Sequence, residues 1–215
     1  MKSVLVIGLG RFGVNTIKKL NELGHQVMAV DEKEDNVNSV LPYVTDALIG
    51  NAANKQFVQS IGVNSFDLCI VAIGDDFQNS LQVTSLIKEM GAPFVVSRAS
   101  SNIHAKFLLR NGADQIIYPE KQLAEWTAIR YSSDHIFDYI ELDGSCAIFE
   151  IEPPESWVGK SIMELDIRRK FNLNIVGIKI DGSVIIEINP EMPIRAADRL
   201  LVAGTIKSLQ KCFKR

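Results

Sequence analysis

The stretch Val4-Leu5-Val6-Ile7-Gly8-Leu9-Gly10-Arg11-Phe12-Gly13 decides the fold, together with the Ala29-Val30-Asp31 that follows it. Four apolar residues with strand preference lead into a Gly-x-Gly-x-x-Gly loop. A helical stretch then runs to Leu23, Gly24 ends it, and a second apolar run closes on an acid. This order predicts a β-α-β unit whose glycine loop binds a nucleotide.

Each glycine of the loop has a separate chemical reason. Gly8 permits a tight turn off the strand, Gly10 lets the backbone approach a phosphate, and Gly13 lets the helix pack closely on the sheet. The phosphate then lies where unpaired N–H groups and the positive helix end favour an anion. Asp31 ends the second strand, where its carboxylate accepts hydrogen bonds from a ribose diol and repels a 2′-phosphate.

Apolar strands and helices continue to alternate up to residue 120, which predicts a parallel, doubly wound α/β sheet of the Rossmann type. We expect this domain to occupy residues 1–138, with a small α+β domain over residues 139–215. The further strands are expected at 47–52, 68–74, 94–98 and 115–120, and the helices at 33–41, 55–61, 77–90 and 102–111.

One more helix is expected over residues 121–131, and no parallel strand follows it. It either leaves the domain and packs elsewhere, for example on a second subunit, or lies on its own sheet; the sequence favours neither.

The second domain reads as short alternating strands in a sheet of mixed direction, at 147–151, 174–180, 183–188 and 198–204. Asp181-Gly182 between two of them indicates a hairpin. A helix is expected over 161–171, with Ser161 and Glu164 forming a capping box. A last helix is expected over 206–213.

Composition narrows the function classes. The 215 residues carry 23 basic and 26 acidic side chains, a net charge of −3, which argues against nucleic-acid binding. The three cysteines are isolated, which fits a reducing, cytoplasmic setting. We expect no signal peptide and no transmembrane segment.

Catalytic signatures are missing from the sequence. The three histidines lie in separate segments, and no nucleophile elbow or metal-ligand spacing is present. This favours a sensor over an enzyme. Charged residues at predicted strand ends are the candidates for ligand contact: Arg11, Asp75, Asp76, Arg98 and Glu120. An arginine with a nearby carboxylate suits a polyphosphate with a divalent cation.

Several motifs together resemble those of the RCK (regulator of conductance of potassium) family, in particular its KtrA/TrkA-type regulatory subunits. They are the glycine loop, Ala29-Val30-Asp31, Gly50-Asn51-Ala52, Val71-Ala72-Ile73-Gly74, Ser97-Arg98-Ala99 and Gly112-Ala113-Asp114 with the following Pro119-Glu120-Lys121. The resemblance covers essentially the whole chain. It implies a cytosolic subunit, a homodimer assembling to an octameric ring, that gates an integral membrane potassium-transporting subunit.

The resemblance also implies a ligand for each domain. ATP or ADP would bind the first domain, with Mg²⁺ or Ca²⁺ on Glu120 bridging to the γ-phosphate and Arg11 on the terminal phosphates. The nucleotide residues would be Gly8, Gly10, Arg11, Phe12, Gly13, Asp31, Asn51, Ala52, Ala72, Ile73, Gly74, Arg98 and Glu120. Cyclic di-AMP would bind the second domain at Ile162, Ile167, Arg168, Arg169, Asn174, Ile175 and Pro190.

Asp75 and Asp76 depart from the family pattern, in which the loop after the fourth strand is often less charged. Two carboxylates near a polyphosphate repel it unless a cation intervenes or unless they point away. The preference for ATP and ADP over NAD and NADH therefore stays open. An NAD(H)-binding regulator and an NAD-dependent oxidoreductase remain the alternatives.

Overall fold

The computed structural model describes residues 1–213 of the chain. Two compact units divide the chain, Met1–Gln122 and Leu123–Arg215. The second unit thus includes residues 123–138, which the sequence had assigned to the first domain with a boundary between residues 138 and 139.

The first unit is a six-stranded, wholly parallel sheet flanked by helices, as predicted. Its strands run in the order β3-β2-β1-β4-β5-β6 and comprise β1 (Ser3–Ile7), β2 (Gln26–Asp31), β3 (Asp46–Ile49), β4 (Leu68–Val71), β5 (Val95–Arg98) and β6 (Gln115–Ile117). The helices of this unit are α1 (Arg11–Glu22), α2 (Glu34–Val40), α3 (Lys55–Ile61), α4 (Phe77–Glu89) and α5 (Asn102–Arg110), and short 3-10 turns occupy Leu41–Tyr43 and Val63–Ser65. Helix α6 (Pro119–Tyr131) begins in this unit and continues past Gln122 into the second.

Strand β1 divides the core of this unit into two layers. Its side chains alternate between the two faces of the sheet, so Val4 and Val6 enter one apolar cluster and Leu5 and Ile7 enter the other. Burial on both faces is why the strand is apolar throughout, and each such side chain contributes roughly 1.5–3 kcal/mol.

The strand order reverses between β1 and β4, which pair directly with Val4 opposite Leu68. Chain connections leave these two strands in opposite directions along the sheet, and a crevice opens at their carboxyl ends. The glycine loop follows β1 at this crevice, and Ala72 follows β4.

The second unit is a five-stranded sheet in the order β10-β9-β11-β8-β7. Every described pairing in it is antiparallel, so the expectation of mixed directions was wrong. Its strands are β7 (Ile136–Glu141), β8 (Ala147–Ile151), β9 (Asn174–Ile180), β10 (Ser183–Ile185) and β11 (Arg199–Gly204), and its helices are α7 (Ile162–Leu165), α8 (Ile167–Phe171) and α9 (Ile206–Phe213), with a 3-10 turn at Glu155–Trp157.

Sequence reasoning misplaced three features of the second unit. It missed β7, it extended β10 to residue 188, and it joined α7 and α8 into one helix. The capping box of Ser161 and Glu164 is present, but Asp166 adopts φ +48° and interrupts the helix. Aspartate tolerates this left-handed conformation because its short side chain bonds locally. The hairpin turn at Asp181-Gly182 is confirmed, with φ +48° and +83°.

Helix α6 starts earlier than expected, because β6 ends at Ile117 and Pro119 is the first helical residue. Proline has no N–H to lose at that position and its φ suits a helix. Glu120 therefore lies in the first turn of a helix and does not end a strand.

Further along helix α6, Trp126 and Ile129 pack against the core of the second unit. Among residues 1–213, none of the helices combines the length and apolar character needed to cross a membrane.

Candidate functional site

The three loop glycines have different surroundings. Gly8 has φ +93° and a side chain there would meet Ile73 and Ala72 at 3.0–3.2 Å. A Cβ on Gly13 would lie 2.1 Å from the carbonyl oxygen of Gly8, so Gly13 is what lets α1 start against the turn. Gly10 has no atom within 4 Å of its Cβ position. Gly8 and Gly13 therefore serve packing, whereas Gly10 keeps a surface of the loop accessible.

The N-terminus of α1 is left without a side-chain cap. Its N-cap is Gly10, and its first turn contains no acid. By contrast, Asn54, Asp76 and Ser101 cap α3, α4 and α5 through side-chain oxygens. The unpaired N–H groups and the positive end of the α1 dipole are thus available to an anion.

The Asp31 carboxylate lies beside the loop and accepts three hydrogen bonds. The Leu9 N–H donates to Oδ2 at 2.7 Å, and the Lys33 N–H and the Asn36 side-chain amide donate to Oδ1 at 2.9 and 3.0 Å. These donors fix the carboxylate at the carboxyl end of β2, the position expected for a ribose contact.

A main cavity of about 350 Å³ opens between these groups. Eight of the predicted residues line it: Gly8, Gly10, Asp31, Ala52, Ala72, Ile73, Gly74 and Arg98. Asp75 and Asp76, which the sequence indicated as candidates for ligand contact, line it as well. The prediction omitted the other lining residues, namely Ile7, Val30, Glu32, Lys33, Asn36, Gly50, Asn79 and Val83.

A side cavity of about 370 Å³ shares Gly10, Asp75 and Arg98 with the main cavity. It brings together three more predicted residues, Arg11, Phe12 and Glu120, with Asn15 and Pro119. Two arginines and two carboxylates thus surround one compartment at the end of the glycine loop.

Arg98 stands between the two cavities. Its Nη2 donates to Oε1 of Glu120 at 2.5 Å, and its guanidinium lies 6.0 Å from the Phe12 ring centroid. A Cβ on Gly74 would lie 2.6 Å from the guanidinium carbon, so Gly74 makes room for it. Within residues 1–213, Nε of Arg98 is buried and has no hydrogen-bond partner. A buried donor of this kind fits a ligand oxygen.

Glu120 is the more exposed member of the pair. Its side chain is 58% exposed, against 16% for that of Arg98. The pKa of Glu120 is held below its usual value by a hydrogen bond from its own backbone N–H, then by Arg98, with a smaller attraction from Arg11. Glu120 is therefore a stable carboxylate facing two cations.

Two predicted residues take other positions. Gly13 lies beneath the loop, packed on Gly8. Asn51 does not line either cavity; its side-chain oxygen accepts from the Ala53 N–H at 2.7 Å in a local turn. In the described part of the chain, no three His, Cys, Asp or Glu side chains are grouped to hold a metal.

Sequence signals existed for some of the omitted residues. Glu32 and Lys33 directly follow the end of β2, and ligands bind beyond the carboxyl ends of strands in parallel sheets. Asn36 has no such signal, because it reaches the site through the orientation of α2.

The predicted ligand residues of the second unit are divided between its core and its surface. Ile167 is 3% exposed within the core, and Ile162 and Ile175 pack against that core. Arg168, Arg169 and Asn174 are exposed, and Arg169 lies 3.5 Å from Asp166. The Pro190 carbonyl accepts from the Met163 N–H at 3.1 Å, which brings it to α7.

Comparison with known proteins places the chain in a family. Residues 4–119 match the TrkA-N domain and residues 146–215 match the TrkA-C domain. Ktr system potassium uptake protein C of Bacillus subtilis (strain 168) is 36% identical over 214 residues, covering 100% of this chain and 97% of that protein. Protein A of the same system and organism is 37% identical over 210 residues, covering 98% and 95%.

Two solved structures share the fold. The crystal structure of the GsuK RCK domain has a TM-score of 0.68 at 19% identity, covering 97% of this chain and 46% of that chain. The GsuK channel bound to NAD has a TM-score of 0.70 at 18% identity, covering 98% and 38%. This chain thus spans less than half the length of either.

The order of the two matched domains and the full-length identity agree with the RCK resemblance indicated by the sequence motifs. The chain therefore belongs to the family of proteins with a TrkA-N domain followed by a TrkA-C domain, the RCK family, and is related to the KtrA type.

Proposed function

We propose that this chain is the nucleotide-sensing regulatory subunit of a potassium uptake system and that it acts by binding, not by catalysis. One observation carries the nucleotide part: the uncapped N-terminus of α1 meets a cavity that Asp31 also lines. The potassium part rests on relatives named as potassium uptake proteins, which this chain matches over nearly its whole length.

ATP and ADP are the proposed ligands. The nucleoside would occupy the main cavity with its ribose at Asp31, and the phosphates would extend past Gly10 into the side cavity. There Arg11 and Arg98 supply the positive charge, and Arg98 also offers its unpaired Nε. Glu120 would hold a divalent cation, Mg²⁺ or Ca²⁺, that bridges to the γ-phosphate and offsets the repulsion from Asp75.

The switch follows from the contacts that only one nucleotide makes. A ligand shifts a conformational equilibrium only by its differential affinity for the two states. ATP carries a γ-phosphate and cation to Glu120, so it separates Glu120 from Arg98, whereas ADP leaves that ion pair in place. Glu120 lies in the first turn of α6, so this exchange acts on the helix that continues into residue 123 and beyond.

The assembly is proposed by analogy with the family. The chain would form homodimers that assemble into an octameric ring in the cytoplasm, on the inner face of the membrane, in contact with an integral membrane potassium-transporting subunit. Helix α6 has no buried residue and exposes Leu123 at 63%, which suits a contact with a second copy. Cyclic di-AMP is proposed as a second regulator, at the residues predicted in the second unit.

An NAD(H)-binding regulator is the second candidate. A GsuK channel structure carries NAD, and Asp31 suits the ribose of NAD as well as that of ATP. An NAD-dependent oxidoreductase is the third, and hydride transfer between bound cofactor and a carbonyl or alcohol would establish it.

Titration calorimetry with ATP, ADP, NAD and NADH, each with and without Mg²⁺, tests the proposal. We expect ATP and ADP to bind, and Asp31→Asn to weaken both because it removes the negative charge. Binding of the dinucleotides alone would favour the NAD(H)-binding regulator over the ATP/ADP-sensing subunit.

Native mass spectrometry of the purified protein reports the subunit number and any co-purified nucleotide together.

Potassium flux tests the regulatory part. Vesicles containing the cognate membrane subunit are loaded with the chain, and flux is measured with ATP and with ADP. A nucleotide-dependent flux supports the proposal, and equal flux with ATP, with ADP and without the chain contradicts it.

A further inference from the structure

Asn36 contacts the Asp31 carboxylate from the first turn of α2. It is half-buried, it lines the main cavity, and its Nδ2 donates to Oδ1 of Asp31 at 3.0 Å. The other two donors to this carboxylate, the N–H groups of Leu9 and Lys33, belong to the backbone. Asn36 is therefore the side chain that sets the orientation of Asp31.

The number of acceptor positions on Asp31 limits what it can do alone. An ionised carboxylate has about four lone-pair positions, and three of the Asp31 positions are already filled by donors in the chain. A ribose 2′,3′-diol brings two hydroxyl donors. One of them can take the remaining position on Asp31, and the other needs a further acceptor.

The Asn36 amide supplies such an acceptor. Its NH₂ group is used on Asp31, and its carbonyl oxygen is an acceptor with two lone pairs. Asn36 and Asp31 both line the main cavity and are joined by a hydrogen bond, so the two side chains lie next to each other at its wall.

We propose that Asn36 is a specificity-determining residue that binds the ribose diol together with Asp31. Its NH₂ group orients the carboxylate, and its carbonyl oxygen accepts a hydrogen bond from the 2′-hydroxyl. This inference rests on the proposed nucleotide function and adds to it a residue that distinguishes ribose from 2′-deoxyribose.

The test compares ADP with 2′-deoxy-ADP by titration calorimetry on the full chain. Wild type should bind ADP more tightly, and Asn36→Ala should lower the ratio of the two affinities roughly five- to tenfold, the effect of one hydrogen bond. Asn36→Gln retains the amide and should recover part of the ratio. Asn38→Ala, on the exposed part of the same helix, should leave it at the wild-type value.

The affinity ratio is a readout that a merely structural role would not move, because a general loosening of the site weakens both nucleotides alike. Thermal melting of each variant checks the fold. The inference is wrong if Asn36→Ala keeps the wild-type ratio, or if wild type does not distinguish the two nucleotides. Failure of wild type to bind either one would instead overturn the proposed function itself.

Discussion

Replacing Gly10 with alanine should abolish close phosphate approach while leaving the fold intact. The Cβ of the new residue would meet nothing within 4 Å, and the backbone at φ −68° and ψ −177° is open to any residue. Alanine is a poorer N-cap than glycine, which costs about 1 kcal/mol. The added methyl group stands on the surface shared by the two cavities, where the phosphate would contact the loop.

The loss of affinity follows from the contacts that the methyl group prevents. Hydrogen bonds to a charged group contribute about 1.5–3 kcal/mol, and the helix end adds about 0.3–1 kcal/mol. Losing most of one such bond and part of the helix-end term weakens binding by about 2–3 kcal/mol, or roughly 30- to 150-fold. Titration calorimetry with ADP measures this loss, and thermal melting measures the fold.

Gly13→Ala is the contrasting variant, because its Cβ would lie 2.1 Å from the Gly8 oxygen. Overpacking of this kind costs about 1–3 kcal/mol, which lowers Tm by roughly 2–12 °C for a chain of this size. Gly144→Ala, with nothing within 4 Å, is the neutral control. The reasoning is refuted if Gly10→Ala binds ADP as wild type does, or if its Tm falls as far as that of Gly13→Ala.

Two further predictions concern titratable residues. Glu120→Gln should weaken ATP binding in the presence of Mg²⁺ more than ADP binding, since it removes the carboxylate proposed to hold the cation; equal losses in calorimetry would exclude that role. His104 is buried, its Nδ1 lies 3.2 Å from the Ser100 N–H, and burial lowers its pKa from the ordinary 6.5. The unfolded chain therefore binds the proton first, and the free energy of unfolding falls as the pH drops below about 6.5, by at most about 1.4 kcal/mol per unit. In urea denaturation at pH 7.5 and 5.5, His104→Asn, which keeps an acceptor for Ser100, should show a smaller difference than wild type; the same difference in both proteins would contradict this assignment.

Local sequence patterns predicted most of the first unit because each depends on neighbours along the chain. The predicted bounds of α3 agree with the structure, and so do the predicted starts of α4 at Phe77 and of α5 at Asn102. The side chains of Asp76 and Ser101 cap these two helices. Two of the failures lie where a single residue changes the backbone direction. Asp166 breaks a helix that the apolar spacing continues, and Pro119 begins a helix where the apolar run suggested strand.

The candidate site was predictable to the extent that its residues follow strand ends. Gly8 and Ala72 follow strands, Asp31 and Arg98 are the last residues of strands, and the parallel strand order brings all four to one edge of the sheet. Asn36 lies on a helix, and its approach to Asp31 depends on how α2 packs on the sheet. Asn51 shows the opposite case, since it follows β3 but bonds to its own turn.

The sequence by itself determined the parallel nucleotide-binding fold, the glycine loop and the acid at the end of β2, because these depend on residue types at fixed short spacings. Only the tertiary structure decided that Arg98 pairs with Glu120, that Gly13 packs on Gly8 while Gly10 stays open, and that Asn36 orients Asp31. Such contacts join groups on different elements. Their distances are set by strand order and helix packing, which no local periodicity encodes.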